Sequence, residues 1–146
     1  MIQRIQSIFL LLAAAASFSL FALPFASVDK ATAEAGVFQD KVFNVMDHPA
    51  LMGLFGAAGL LAFISIFLFK NRKLQMRLAI FAFIANLLAT VFGVIFFMQN
   101  GGGVESSQIN DGIGAFVPLV SLICCLLAYR FTQKDDKLVR SMDRLR

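Results

Sequence analysis

The chain has 146 residues, of which 59% are hydrophobic and only 15% are charged, and it contains 17 Phe and no Trp. Soluble domains are about a quarter charged, and a domain of this length leaves too much surface exposed to hide so many apolar side chains. The composition therefore excludes an ordinary soluble fold and predicts one membrane domain over residues 1–146. The formal net charge of +4 does not indicate nucleic-acid binding, because the basic residues cluster at the ends of apolar runs, where they anchor membrane helices.

The first apolar run covers residues 5–28 and predicts a transmembrane helix, since about 20 residues cross a bilayer. Pro24 is expected to bend or end its outer turn. A cleaved signal peptide is the alternative, because Arg4 precedes the run and Ala31-Thr32-Ala33 follows it. The run exceeds the core of about 7–15 residues that signal peptides use, so we expect it to be retained.

A polar segment follows at residues 29–49, and its length of about 20 residues predicts some structure of its own. We predict a short amphipathic helix on the outer membrane surface, with a small hairpin around residues 39–41 as the alternative. Asp47 is expected to cap the next helix or to interact with its dipole, and the sole histidine, His48, is expected to start that helix. The helical spacing is that of Val37, Phe38, Val42, Val45 and Met46.

Three further apolar runs predict transmembrane helices at residues 50–69, 78–98 and 113–129. Pro118 lies inside the last of these runs and is expected to kink it, because proline removes a backbone donor. With the first run, these segments predict an all-α membrane protein of four antiparallel transmembrane helices.

The basic residues predict the orientation of these helices. All Lys and Arg residues except Lys30 and Lys41 lie before the first run, in the segment 70–77 or in the tail 130–146. Short loops rich in Lys and Arg stay in the cytoplasm. Both termini are therefore predicted to be cytoplasmic, and the segment 29–49 is predicted to lie outside.

The tail is predicted to be a basic amphipathic helix, because Leu138, Met142 and Leu145 recur at helical spacing. Asp136 lies four residues before Arg140, where the two charges attract on one helix face. The tail would lie on anionic lipid headgroups or contact a partner, and a solvated tail with no further role is the alternative. The predicted cytoplasmic interaction residues are Lys70, Arg72, Lys73, Arg77, Lys137, Arg140 and Arg144.

Few residues suggest chemistry. Cys124-Cys125 lies deep in an apolar run without the Cys-x-x-Cys spacing of thiol oxidoreductases, so both are predicted to be core residues. A single histidine cannot provide bis-histidine haem ligation, and zinc would need more ligands. Asn86, one turn before Thr90, is predicted to hydrogen-bond across helices. We predict no enzymatic activity, catalytic residue, metal or cofactor.

Three segments carry a resemblance to a known family: Met1-Ile2-Gln3-Arg4-Ile5-Gln6, Phe69-Lys70-Asn71-Arg72-Lys73-Leu74-Gln75-Met76-Arg77, and the closing stretch of residues 136–146 without Met142. The chain resembles an uncharacterised family of small bacterial four-helix membrane proteins, a domain of unknown function. The resemblance spans the whole chain and implies a multi-pass protein of the bacterial inner (cytoplasmic) membrane. It assigns no catalytic residue.

Two kinds of function are expected from these observations. The first is a non-enzymatic accessory subunit or assembly factor of a larger membrane complex, with a membrane protein or a second copy of the chain as partner. The alternative is a carrier of a small molecule or lipid, in which Pro118, Asn86 and Thr90 form a polar gap between helices. A membrane-bound redox enzyme is the third and least favoured hypothesis, because it would need a quinone or haem.

Overall fold

The computed structural model describes residues 2–28, 42–100 and 109–143. Four α-helices make up most of this part of the chain, and three short strands and two 3₁₀ turns, at residues 45–47 and 113–115, connect them. The helices are α1 (Ile2–Ser19), α2 (Pro49–Phe67), α3 (Arg72–Asn100) and α4 (Val117–Asp143), and the strands are β1 (Ala26–Val28), β2 (Val42–Phe43) and β3 (Ile109–Asp111).

The helices pack in a ring, in which α1 contacts α2 and α4, and α3 contacts the same two helices. The strands form an antiparallel sheet in the order β2-β1-β3, at the end of the ring where α1 and α3 finish and α2 and α4 begin. We call this end the sheet end. The opposite end holds the start of α1, the turn at residues 68–71 between α2 and α3, and the second half of α4. We call it the basic end.

Small residues face the interior of the ring, and large apolar residues face outward. On α3 the buried positions Ala79, Ala82, Ala89 and Gly93 are spaced by three, seven and four residues, so they form one stripe along the helix. Outward-facing residues such as Phe81 are exposed. Close approach of helices through small residues, with large apolar side chains outside, is typical of membrane proteins.

Among the described residues, three helical stretches are long and apolar enough to cross a membrane: Pro49–Phe67, Arg72–Gln99 and Ile113–Ser141. The apolar part of α1, Ile5–Ser19, is shorter. The predictions of an all-helical architecture and of apolar helices of membrane-spanning length are thus confirmed for α2, α3 and α4.

The prediction that the first helix extends to Val28 is wrong, because α1 ends at Ser19. Proline cannot continue a helix, and the chain turns before Pro24 to enter β1. Phe25 donates its backbone N–H to the Phe43 carbonyl at 2.8 Å and accepts from the Gly112 N–H at 2.9 Å. These bonds satisfy polar groups of the non-helical backbone that follows α1.

The predicted outer helix is wrong at Val42 and Phe43, which form β2, whereas Val45 and Met46 of the same pattern lie in a 3₁₀ turn. Ala26 pairs with Phe43, and Ser27 pairs with Val42. Both β2 residues favour extended structure. β2 pairs with β1, whereas the small hairpin predicted around residues 39–41, like the rest of the predicted helix, falls on residues 29–41, which lie outside the described residues.

Helix α2 begins where the sequence predicts, but with a different cap. The Nδ1 atom of His48 accepts the Ala50 backbone N–H at 3.1 Å, so His48 is the cap of α2. Asp47 instead accepts the Asn44 N–H at 2.6 Å and closes the 3₁₀ turn before the helix. The expectation that Asp47 caps α2 is therefore wrong, whereas the role of His48 as a helix start is confirmed.

Helix α4 begins at Val117, so Pro118 lies in its first turn. The first-turn N–H groups have no partner within a helix, and proline is tolerated there. The predicted kink at Pro118 is therefore wrong. The predicted tail helix is confirmed as a continuation of the same helix to Asp143.

Candidate functional site: a cavity, a buried polar layer and a basic end

A cavity of about 180 Å³ lies beneath the sheet, between the sheet end of α3 and the start of α4. Its walls are apolar, and Thr90 contributes a hydroxyl. An apolar cavity of about 150 Å³ can hold benzene, so this one has room for an aromatic ring or a short piece of hydrocarbon chain. The wall includes Phe25, Phe43, Phe55, Phe97, Thr90 and Pro118.

The aromatic walls of the cavity support one another. The ring centroid of Phe25 lies 5.3 Å from that of Phe43 and 6.0 Å from that of Phe55. The ring of Phe43 also lies 5.7 Å from that of Phe97 on α3. Such separations are favourable for aromatic pairs, so the walls of the cavity are held by packing between the sheet and two helices.

Asn86 and Thr90, which the sequence predicts as polar packing residues, have different environments. Thr90 lines the cavity and donates its hydroxyl to the Asn86 backbone carbonyl at 2.7 Å. Asn86 is fully buried, and both of its amide atoms lack a hydrogen-bond partner among the described residues. The hydrogen bond between helices that Asn86 was expected to make is therefore not formed in this part of the chain.

A second polar group lies at the basic end, where each helix contributes one polar side chain that is at most 1% exposed. We call these residues the polar layer, and they are Gln6, Ser65, Gln75 and Thr132. The Ser65 hydroxyl donates to the Gln75 backbone carbonyl at 3.2 Å, and the Thr132 hydroxyl donates to the Ala128 carbonyl at 2.8 Å. The side-chain amide atoms of both glutamines have no partner among the described residues.

The interior also contains a polar contact that is fully satisfied. Ser17 on α1 and Ser121 on α4 are buried, and their hydroxyl oxygens lie 2.9 Å apart. The Ser121 hydroxyl donates to the Ala13 carbonyl at 3.1 Å, so Ser17 is the donor to Ser121. This pair joins α1 to α4 and has no polar atom left unpaired, in contrast to the two glutamines.

One ion pair joins α3 to α4 at the basic end. Arg72 Nε lies 2.8 Å from Asp135 Oδ2, and the side chains are 23% and 12% exposed. The two atoms are at ion-pair distance, although they lack the alignment of a hydrogen bond. Arg72, predicted as an interaction residue, is thus engaged within the protein.

The remaining predicted basic residues with described side chains are exposed around this pair. Every Lys and Arg whose side chain the structure describes lies at the basic end. Arg140 pairs with Asp136 at 2.9 Å, as the spacing on α4 predicts. The exposed basic residues at this end are Lys70, Lys73 and Arg77 near the start of α3 and Arg130, Lys134, Lys137 and Arg140 on α4. The side chain of Arg144 lies outside the described residues.

The candidate redox and metal residues take up core and capping positions. Cys124 and Cys125 are buried, free thiols that pack with Ala13 and Ala82 in the interior. His48 packs against the rings of Phe92 and Phe96, with centroids 5.1 and 4.8 Å away. No cluster of three or more His, Cys, Asp or Glu side chains occurs among the described residues.

The polar layer is the feature that sequence reasoning missed. The sequence places Gln75 within the basic segment 70–77 and Gln6 at the start of the first apolar run. A signal was present, because Gln75 and Asn86 continue the stripe of buried small residues on α3 at the same helical spacing.

A family model described as "Domain of unknown function (DUF4293)" matches residues 2–145. The resemblance to an uncharacterised family is thereby confirmed over nearly the whole chain. No curated protein matches the chain.

Proposed function

We propose that this chain, which belongs to the DUF4293 family, is a non-enzymatic membrane protein that serves as an accessory subunit or assembly factor. Its partner would be a membrane protein with an acidic surface, and contact would be made through the basic end. Anionic lipid headgroups would attract the same face and hold it at the membrane surface.

The ion pair between Arg72 and Asp135 is the observation that carries this proposal. It joins the start of α3 to α4 at 2.8 Å, and so combines two basic segments that are distant in the sequence into one surface. The described acidic side chains beside them, Asp135 and Asp136, are both paired with arginines. The exposed charge of this surface is therefore mostly positive, which suits an acidic partner.

The same charge distribution supports a topology with both termini in the cytoplasm. The basic end contains the start of α1 and the second half of α4, and Lys and Arg near helix ends favour the cytoplasmic side. In a bacterial cell this places the sheet end and the cavity near the outer face of the inner membrane. Cysteine residues introduced at Lys70 and at Asp40 would test the topology: an impermeant thiol reagent added to intact spheroplasts should label only the second.

The partner hypothesis can be tested with two double variants that remove equal charge. Lys70→Gln with Lys73→Gln alters the basic end, and Lys30→Gln with Lys41→Gln alters the segment 29–41. Each tagged full-length protein is purified from its native membrane in mild detergent, and the companions are quantified by mass spectrometry. We expect a stoichiometric companion that is lost only from the first variant, while both variants reach the membrane in equal amounts. Purification without a companion, or equal loss from both variants, would refute the proposal.

The cavity favours a second candidate function, the binding of an apolar small molecule or lipid chain. Its volume of about 180 Å³ and its aromatic walls suit a hydrocarbon segment. The carrier hypothesis names Pro118, Asn86 and Thr90. Thr90 and Pro118 line the cavity, whereas Asn86 does not.

Two matched substitutions test the cavity. Gly93→Leu places a side chain into the cavity wall, and Gly53→Leu makes the same change at an exposed position where an added Cβ meets no atom within 4 Å. Lipids and metabolites extracted from the purified proteins are compared by mass spectrometry. A bound molecule should be lost from the Gly93 variant and retained in the Gly53 variant, and identical extracts from both would argue against this function.

A further inference from the structure

We infer that the polar layer is a binding site for a small neutral molecule that both donates and accepts hydrogen bonds, and that this molecule enters from the basic end. The site is separate from the cavity beneath the sheet and from the exposed basic surface. Its chemistry is that of Gln6 and Gln75, supported by the hydroxyl oxygens of Ser65 and Thr132.

Helix geometry brings the four residues to one level. Leu10, Ala79 and Ala128 belong to one buried cluster, so α1, α3 and α4 are in register there. One helical turn toward the basic end leads from these residues to Gln6 on α1, Gln75 on α3 and Thr132 on α4, since side chains four residues apart lie on one face.

Ser65 on α2 lies at the same level as these three residues. Its hydroxyl lies 3.2 Å from the Gln75 carbonyl oxygen, which fixes α2 beside α3 at this height. The interior of the ring is therefore lined by a polar side chain from every helix at this point.

The two glutamines are an energetic anomaly that a ligand would remove. Both are fully buried, and their four amide atoms have no protein partner among the described residues. A buried polar group without a partner lowers the stability of the fold, and native structures contain few such groups. Asn86 is likewise buried without a partner among the described residues, whereas Ser17 and Ser121 satisfy each other. The convergence of two unpartnered amides at one level is what distinguishes the polar layer.

The side chains determine the class of ligand. Two carboxamides offer N–H donors and carbonyl acceptors, and the hydroxyls of Ser65 and Thr132 keep lone pairs available after donating to the backbone. The nearest described charges, Arg72 and Asp135, lie about one turn farther out and neutralise each other. An ion would find no compensating charge, whereas a neutral amide or alcohol would be matched at both donor and acceptor atoms.

The ion pair lies between this level and the solvent. Arg72 is three residues before Gln75, and Asp135 is three residues after Thr132, so both lie on the outer side of the layer. Their side chains are 23% and 12% exposed, so both reach solvent. A small molecule would enter past this pair.

Iodoacetamide is a suitable probe, because it is a small neutral amide that also alkylates thiols. Ser65→Cys places a thiol in the layer, and Ser121→Cys places one at the satisfied contact, both in full-length protein with Cys124→Ala and Cys125→Ala. Alkylation in lipid nanodiscs is followed by intact mass. We expect Ser65→Cys to react faster than Ser121→Cys, and unreactive acetamide to slow the reaction in a saturable way. Adding Gln75→Leu should weaken this protection about tenfold, the value of one lost hydrogen-bonding group.

A second measurement uses the chain with its native serines. Acetamide should raise the melting temperature of the native protein relative to the Gln75→Leu variant, since a ligand that binds only the folded state stabilises it. Equal alkylation of the two cysteine variants, alkylation of Ser65→Cys that acetamide does not slow, or an identical response of both proteins to acetamide would each overturn the inference. In the second case small molecules would reach the layer without binding there.

Discussion

Gly114 is one of two glycines at the sheet end, with Gly112, where an added Cβ atom would collide with backbone atoms. It lies in the turn before α4, where its backbone N–H donates to the Pro24 carbonyl at 3.1 Å. A Cβ atom at Gly114 would lie 2.5 Å from that carbonyl oxygen and 2.8 Å from the carbonyl oxygen of Leu23. Both are backbone atoms, so neither can rotate away, and Gly114→Ala must separate the start of α4 from the segment that follows α1.

The cost of Gly114→Ala follows from these contacts. Overpacking a close contact costs about 1–3 kcal/mol, and losing the backbone hydrogen bond to Pro24 costs about 1 kcal/mol more. Gly53→Ala is the matched control, because an added Cβ there meets no atom within 4 Å. Alanine in a helix interior is favoured over glycine by about 0.5–1 kcal/mol, so the two variants should shift stability in opposite directions.

Thermal unfolding of the tagged full-length protein in mild detergent measures both shifts. Aliquots are heated, and the folded fraction is read from the size-exclusion peak. At about 2–4 °C per kcal/mol for a chain of this size, Gly114→Ala should melt at least about 4 °C lower than the native protein, and Gly53→Ala slightly higher. A Gly114→Ala protein that melts with the native one would refute the close approach of these two segments.

Three further predictions concern the interior. Asp135→Asn leaves the mostly buried Arg72 without its counter-charge and should cost about 1–3 kcal/mol. Asp136→Asn, whose partner is more than half exposed, should cost less than about 1 kcal/mol. Equal melting temperatures would contradict the burial of the first pair. Ser121→Ala deletes a buried hydroxyl with two partners and should lower stability by about 1–3 kcal/mol, seen in the same melting assay. Cys124 and Cys125 should resist N-ethylmaleimide in the folded protein and react only after denaturation, as intact mass would show; labelling of the native protein would contradict their burial.

The helices were predictable from the sequence because apolar length is a strong local signal. Helix α2 begins and ends within about two residues of its predicted span, and α4 continues through the basic tail as the spacing of Asp136 and Arg140 suggested. The bounds failed where another part of the chain decides the structure. Pro24 limits how far α1 can extend, but no local signal marks Ser19 itself as the end. The apolar run continues past Ser19, and pairing with β2 and β3 draws residues 26–28 into a strand.

The candidate sites were less predictable for a related reason. Strands of two or three residues carry almost no periodic signal, so the sheet that covers the cavity could not be derived from the chain in order. Gln6 and Gln75 sit among charged and polar neighbours, and a glutamine in such a context is usually exposed. Their burial depends on the register between α1, α3 and α4, which is a property of the packed ring.

The unequal lengths of the helices bear on the surrounding lipid. Helix α1 has 18 residues and is about 27 Å long, whereas α3 has 29 residues and is about 43 Å long. Because the hydrocarbon layer of a bilayer is about 30 Å thick, lipid beside α1 meets a shorter apolar flank than lipid beside α3. Each ångström of mismatch costs a fraction of a kcal/mol. The bilayer should therefore be thinned on the side of α1, where a short helix of a neighbouring protein would find the least resistance to association.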